Sequence, residues 1–253
     1  MIVGVSSVSG APGVTTFATM AVALWPSRVK PLLIEADVSG ASLTSRFPGM
    51  LQTEPTTVQL IAQCRHAMDE QTILHNAQQL PYGGDVVVAP NERTQGAEAV
   101  RALLGRSAEL VSAMGERDVL VDLGRAHAAP TPPGALDGLY VLTRLDFVHV
   151  ATLLHQLPLL TTMARTVSVV GVVAPKHSGS AAVDPEELAL ELEKRTDGVI
   201  GLAGVLGYDP ASAAAWTIPG QTGRKLDRLG LTRQLRTVLK TTVSERGGSH
   251  ERV

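Results

Sequence analysis

Residues 2–24 have the sequence IVGVSSVSGAPGVTTFATMAVAL, in which an apolar strand runs into a glycine-containing loop and then into a helix. A loop of this kind exposes consecutive backbone N–H groups, and the helix that follows adds the positive end of its dipole. Both features favour an anion, so we predict a phosphate-binding loop. The residues predicted to contact phosphate are Gly10, Ala11, Pro12, Gly13, Val14, Thr15 and Thr16.

This loop departs from the pattern G-x-x-x-x-G-K-[ST] of phosphate-binding ATPases at one charged position. Val14 follows the second glycine, where that pattern has a lysine. Thr15 stands where the pattern places the hydroxyl ligand of magnesium. The sequence therefore keeps a magnesium-binding hydroxyl and lacks the cation beside it.

The first 27 residues carry no charged side chain, which also raises the question of a targeting segment. A secretory signal has a positive start and an unbroken apolar stretch. Here the apolar residues are divided by SSVSGAPG at 6–13. A buried strand, a loop and a buried helix explain the segment better.

Further apolar runs, rich in β-branched residues, recur along the chain. They are continuously apolar rather than alternating, which is typical of parallel strands covered by helices on both faces. We therefore predict a doubly wound, mostly parallel seven-stranded α/β sheet. The predicted strands are residues 2–7, 31–37, 85–90, 118–124, 138–143, 167–175 and 199–207.

Helical segments are predicted between these strands, at residues 15–25, 56–67, 94–115, 146–164, 184–195 and 229–245. The helix at 184 has the clearest start, because Asp184 can cap it and Pro185 suits its first position. We expect one domain over residues 1–246 and a flexible C-terminal tail at 247–253.

Composition narrows the class of function. Of the 253 residues, 44% are hydrophobic and 18% are charged, as in a compact globular domain. The net charge of −2 gives no global attraction to nucleic acid or anionic lipid, so specific nucleic-acid binding is not predicted. The single cysteine, Cys64, cannot form an internal disulfide and lies in an apolar-periodic run, which favours a buried thiol and a cytoplasmic protein.

Two acidic residues follow or end predicted strands that neighbour the loop. Asp37 is the last residue of the second predicted strand, and Asp122 lies near the end of the fourth. Ligands of parallel α/β sheets gather at the carboxyl ends of the strands. We therefore expect the loop, Asp37 and Asp122 to converge on one crevice.

With these residues in place, the sequence resembles the MinD/ParA superfamily of nucleotide-dependent positioning proteins, whose phosphate loop is roughly KGGVGKTT. SGAPGVTT at 9–16 aligns with that loop without gaps, LLIEADVSGASLTSRF at 32–47 is similar to the strand and switch that follow it, and DVLVDLG at 118–124 is similar to the Walker B strand. The resemblance covers most of the chain. It implies a P-loop NTPase fold that binds ATP and Mg²⁺ and forms a homodimer.

The resemblance also implies roles for individual residues. Asp37 would correspond to the acid that orients the attacking water, Thr15 and Asp122 to the magnesium-binding residues, and Asp209 with Pro210 to the adenine side. The same alignment shows two departures. Ser9 replaces the lysine that reaches across the family dimer, and Val14 replaces the lysine that bridges the outer phosphates.

The loop also resembles those of the pilus-positioning relatives called TadZ or CpaE. Their loops are often GGVGATT or GGVGSST, in which a small residue replaces the lysine at the position of Val14. Because phosphoryl transfer relies on positioning and electrostatic stabilisation, loss of both lysines predicts a pseudo-ATPase or a very weak ATPase. A substitute cation would have to come from residues just beyond predicted strands. The candidates are Arg46, Arg125, Arg144 and Lys176.

Two other features of the sequence are candidate sites. His149 and His155 are six residues apart, which is poor spacing for a metal site on one helix. The aliphatic residues Leu231, Leu235 and Leu239 recur at helical spacing near the C-terminus, as in a membrane-surface helix or, more simply, in the last helix of a packed core.

The sequence therefore predicts a protein with a degenerate nucleotide site that positions or regulates a larger assembly, such as secretion, pilus or division machinery, through protein–protein contacts. It would be cytoplasmic, with recruitment to the membrane periphery by a partner. The alternative is an active ATPase that cycles between dimer and monomer on membrane or DNA.

Overall fold

The central strands of the sheet are buried on both faces, and this determines the architecture. A computed structural model describes residues 1–10, 12–128, 131–173, 181–218 and 223–247, with side chains up to residue 240. Its strands are β1 Ile2–Ser7, β2 Leu32–Glu35, β3 Gln78–Gln79, β4 Asp85–Val87, β5 Val119–Arg125, β6 Leu136–Arg144, β7 Ala164–Val172 and β8 Ile200–Leu206. Its helices are α1 Val14–Leu24, α2 Leu43–Arg46, α3 Thr57–Gln63, α4 Glu70–His75, α5 Arg93–Leu104, α6 Ser107–Met114, α7 Phe147–Met163, α8 Pro185–Thr196, α9 Pro210–Ala215, α10 Gly223–Asp227 and α11 Gly230–Gly247.

The strands form one sheet in the order β3-β4-β2-β5-β1-β6-β7-β8. Every neighbouring pair is parallel except β3 with β4. Since β1 lies between β5 and β6, the loop that follows β1 is flanked by the carboxyl ends of both strands. The predicted doubly wound α/β fold is confirmed.

Two apolar cores lie on opposite faces of the sheet. In β5, Val119 and Val121 belong to one core and Leu120 to the other, because successive strand side chains point to opposite faces. Helices α3 to α8 contribute to the first core, and α1, α10 and α11 contribute to the second. The continuously apolar strands of the sequence therefore reflect burial on both sides.

Several sequence predictions need correction. The sheet has eight strands rather than seven, since the polar pair Gln78–Gln79 adds a short antiparallel edge strand. The helix predicted at 94–115 is two helices, because α5 ends at Leu104 and the backbone leaves the helical conformation at Arg106. The four short helices α2, α4, α9 and α10 were not predicted.

The C-terminal helix packs on the body of the protein. Leu235, Val238 and Leu239 are almost completely buried in the second core. This agrees with the core-packing interpretation of their spacing. Among the described residues, no helix combines the length and the apolar character needed to cross a membrane. Most of the predicted tail, residues 248–253, lies outside the described residues.

Candidate nucleotide site

The loop between β1 and α1 is shaped by two glycines with left-handed backbone conformation. Gly10 has φ 65° and Gly13 has φ 99°, values that side-chain-bearing residues rarely adopt. Gly13 is the N-cap of α1, and no side chain caps this helix. The first N–H groups of α1 are therefore left for another acceptor, as expected at an anion site. Ala11, also predicted to contact phosphate, lies outside the described residues.

The loop itself contributes no positive charge. Val14 is 7% exposed and belongs to the second core, together with Phe17 and Leu142. The hydroxyl oxygen of Ser9 is buried and has no hydrogen-bond partner among the described residues. Val14, at the position of the phosphate-bridging lysine, is thus a core side chain. Ser9, at the position of the other lysine, is short and neutral.

Thr15 and Asp122 meet below the loop, because β1 and β5 are neighbours and Val5 pairs with Asp122. Asp122 is fully buried; its Oδ1 accepts from the Gly124 N–H at 3.1 Å, and Oδ2 has no partner of normal hydrogen-bond geometry among the described residues. Burial is the main cause that raises the pKa of Asp122 to about 7; hydrogen bonds from the Thr15 hydroxyl and the Gly124 N–H oppose it, and the nearby charges of Glu35 and Asp37 add to it.

These two side chains fit a magnesium ion. A hydroxyl and an unpartnered carboxylate oxygen are hard oxygen donors of the type that Mg²⁺ binds. In the described parts of the chain no group of three or more His, Cys, Asp and Glu side chains could hold a metal ion. Magnesium at this position would therefore need phosphate oxygens and water to complete its coordination, as it does in other phosphate sites.

Asp37 reaches the same place from β2. Its Oδ1 accepts from the Ser39 N–H at 2.8 Å, and its side chain is half-buried. A Cβ atom on Gly124 would lie 2.3 Å from Cγ of Asp37, so the carboxylate fits only against a glycine. The structure thus brings Thr15, Asp37 and Asp122 together. The signal for Gly124 in the sequence is a glycine two residues after the strand aspartate.

Glu35 has a different role from Asp37, although both follow the same apolar run. It is fully buried, and its Oε1 accepts from the N–H groups of Ser42 at 2.6 Å and Leu43 at 2.9 Å. Its Oε2 accepts from the Ala89 N–H at 2.9 Å. Glu35 therefore ties the start of α2 and the segment after β4 to the sheet, which holds the loop containing Asp37 in place.

A cavity of about 190 Å³ opens beside the loop. Five residues predicted to bind nucleotide line it, namely Pro12, Gly13, Thr16, Asp209 and Pro210. Asp209 also caps α9: hydrogen bonds from the hydroxyl and the N–H of Ser212 hold the pKa of Asp209 below its usual range. The rest of the wall is largely apolar and includes Phe17, Met20, Leu142, Val172, Leu206, Tyr208 and Leu231.

Two of the four candidate cations approach this region. Arg46, an exposed residue on α2, donates from Nη1 to the Thr16 hydroxyl at 3.1 Å. Arg144, at the end of β6, lines the cavity. Arg125 is exposed at the end of β5, and Lys176 lies outside the described residues. Positive charge therefore borders the loop from neighbouring elements.

Comparison with known proteins identifies the fold. No protein-family model matches the sequence, and no curated protein matches it. Among solved structures, the cell division ATPase MinD of Pyrococcus furiosus is similar with a TM-score of 0.68 at 15% identity, over 96% of this chain and 98% of that one.

Two further structures are similar over their whole length. A ParA family ATPase from Chlorobium tepidum TLS gives a TM-score of 0.68 at 15% identity, over 94% of this chain and 98% of the other. MinD of Pyrococcus horikoshii OT3, complexed with Mg-ADP, gives 0.65 at 16% identity, over 100% and 99%. The chain has the fold of the MinD and ParA ATPases.

Proposed function

We propose that this chain is a MinD/ParA-like protein with a degenerate nucleotide site, which positions or regulates a larger assembly through protein–protein contacts. The observation that carries the proposal is the burial of Val14 in the apolar core at the position of the phosphate-bridging lysine. The chain has the fold and the acidic residues Asp37 and Asp122, but its loop has Ser9 and Val14 in place of the two lysines.

This combination favours binding over catalysis. In phosphoryl transfer, charge builds up on the equatorial oxygens, and enzymes stabilise it with cations placed beforehand. Losing one such group typically costs about 3 kcal/mol of transition-state stabilisation. A loop that lacks two lysines would therefore retain phosphate contacts from backbone N–H groups while hydrolysing slowly or not at all.

We infer the residues that would touch a nucleotide from the family resemblance, and the geometry of the site supports them. Thr15 and Asp122 would hold Mg²⁺, and Asp37 would orient water if hydrolysis occurs. The base would lie toward Asp209 and Pro210, along the apolar wall of the cavity. When bound, Mg²⁺ neutralises part of the phosphate charge. ATP with Mg²⁺ would then be a weak ligand that holds the loop and its neighbours in one conformation.

The names of the structural relatives support a positioning role. They include a cell division ATPase, a putative plasmid partition protein of Borrelia burgdorferi B31, and a MinC:MinD cell division protein complex from Aquifex aeolicus. For this chain we infer a cytoplasmic homodimer that a partner recruits to secretion, pilus or division machinery at the membrane periphery.

An active ATPase is the second candidate, and the two arginines favour it. Arg46 contacts Thr16 of the loop, and Arg144 lines the adjoining cavity. Either guanidinium would stabilise phosphate charge if it turned toward a bound nucleotide. Such an enzyme would cycle between dimer and monomer on membrane or DNA.

Calorimetric titration with ATP and Mg²⁺, combined with a phosphate-release assay, separates the two functions. We expect weak ATP binding and no turnover above background. Asp37→Ala should then leave ATP binding and phosphate release unchanged. The control Asp227→Ala, at an exposed surface ion pair, should also leave both unchanged. Micromolar ATP binding with turnover that Asp37→Ala abolishes and Asp227→Ala does not would overturn the proposal.

The protein-contact part of the proposal needs its own measurement. We expect chemical cross-linking in the native cell to capture the same assembly with the wild type and with Asp37→Ala. If Asp37→Ala releases the partner, nucleotide turnover drives the interaction and the ATPase hypothesis holds instead.

A further inference from the structure

The first turn of α7 lies directly against the phosphate loop. A Cβ atom on Gly10 would lie 3.0 Å from Nε2 of His149 and 3.5 Å from Cδ2 of the same ring. The imidazole approaches the loop backbone this closely because Gly10 has no side chain. The sequence alone does not predict this contact, because nothing in the spacing of the two segments shows that they meet.

Asp146 orients this imidazole. It is the N-cap of α7, and its Oδ1 accepts from the His149 N–H at 3.1 Å and lies 2.8 Å from Nδ1. Burial would raise the pKa of Asp146, but the hydrogen bonds from His149 and the charges of His149 and Arg144 outweigh it and lower the pKa. An ionised carboxylate only accepts, so Nδ1 donates to it and Nε2 is the nitrogen that faces the loop.

The backbone holds the imidazole in position. The N–H of Phe147 donates to the Ala181 carbonyl at 3.0 Å, and the N–H of Leu145 donates to the Val172 carbonyl at 2.9 Å. The side chain of His149 is 18% exposed, so a ligand can reach it. Within the described parts of the chain, Nε2 has no hydrogen-bond partner.

We propose that His149 is a phosphate-binding residue of this site, whose Nε2–H donates to an oxygen of a bound polyphosphate. With both ring nitrogens protonated, the imidazolium would supply from α7 the positive charge that Ser9 and Val14 do not supply from the loop. An imidazolium held by a carboxylate makes a charge-assisted hydrogen bond to phosphate, which is shorter and stronger than a neutral one. The inference rests on the proposed function, because the loop must admit the phosphates of a nucleotide.

Inorganic triphosphate tests the proposal without the contribution of adenine. His149→Asn is the sharpest variant, since its amide nitrogen can replace Nδ1 on Asp146 while nothing replaces Nε2. We expect His149→Asn to weaken the binding of triphosphate with Mg²⁺, measured by calorimetry, by about ten- to a hundredfold. His155→Asn, at an exposed site on the same helix, should bind like the wild type.

A second measurement uses the wild-type protein, so its result does not depend on whether the His149→Asn variant folds. In nitrogen NMR of the imidazoles, triphosphate should shift the Nε2 resonance of His149 and leave that of His155 unchanged. Adenosine, which has no phosphate, should leave both resonances unchanged.

Two results would overturn the proposal. The first would leave the proposed nucleotide site intact, and the second would contradict nucleotide binding as well. If the wild type binds triphosphate and the Nε2 resonance does not move, or if His149→Asn binds equally well, the loop binds phosphate without His149 and the nucleotide site remains. If the wild type binds neither triphosphate nor ATP at millimolar concentration, His149 only packs against Gly10. The cross-linking experiment would then test the proposed protein contacts independently of nucleotide binding.

Discussion

Asp122 is a carboxylic acid whose surroundings disfavour its charged form. It is fully buried, and burial raises its pKa from 3.8 to about 7 in the metal-free protein. The folded state therefore binds this proton more tightly than the unfolded state does. The resulting stability is fully present below the unfolded value of 3.8 and is lost as the pH rises through 7.

We expect the free energy of unfolding of the wild type to fall relative to that of Asp122→Asn between pH 5 and 8, by up to about 3 kcal/mol. The asparagine keeps the shape of the side chain and cannot ionise. Urea unfolding of both proteins in metal-free buffer measures the difference. Asp227→Asn, at an exposed position, should follow the wild type at each pH. Parallel curves for wild type and Asp122→Asn would show that Asp122 does not titrate in this range.

At the scale of elements, the loop between β1 and α1 has the backbone of a phosphate site and the side chain of a core residue. Val14 begins α1 and is 7% exposed. A lysine there would have to carry its ammonium out of the core along a flexible stem, toward the open N-terminus of α1. Removing the valine side chain from the core costs roughly 1.5–3 kcal/mol.

Val14→Lys should therefore raise the affinity for ATP with Mg²⁺ by about tenfold or more, because it adds a charged hydrogen bond to phosphate. It should also lower the free energy of unfolding. The matched control is Val199→Lys, which adds the same charge at an exposed valine just before β8. Calorimetry should show no gain in affinity for this control. An equal gain in both variants would mean that the added net charge, and not its position in the loop, increases binding.

The long elements were predictable from local sequence, whereas the contacts between them were not. Apolar runs revealed the parallel strands, and Asp184 caps α8 as predicted. In contrast, β3 consists of two glutamines that pair only because the chain folds back on β4. No local pattern marks them.

In the candidate site too, some residues were predictable from local sequence and some contacts were not. The loop, Asp37 and Asp122 follow from motif spacing and from the rule that parallel strands end on one edge. The packing of His149 on Gly10 and the hydrogen bonds that Glu35 accepts from Ser42 and Ala89 depend on tertiary contacts between distant segments. Spacing along the chain cannot reveal such contacts.

At the scale of the whole molecule, the edge that carries the phosphate loop also carries exposed apolar side chains. Phe147 is 67% exposed and Val148 is 63% exposed, in the same turn of α7 as His149. Aromatic side chains are common anchors of protein interfaces, and a large exposed one next to a ligand site suits a contact that includes that site. This surface is where we expect the predicted homodimer to form.

Phe147→Asp should weaken self-association by at least about tenfold, because it places a charge where an interface anchor would be buried. The fold should survive, since an acidic residue in the first turn of α7 is favourable to the helix dipole. Leu190→Asp is the matched control, because Leu190 is also 67% exposed but lies on α8, which packs on β8 at the edge of the sheet. Sedimentation equilibrium with and without ATP should show dimers for the wild type and Leu190→Asp at concentrations where Phe147→Asp is monomeric. A monomeric wild type, or equal loss in both variants, would mean that the face around the phosphate loop does not mediate dimerisation.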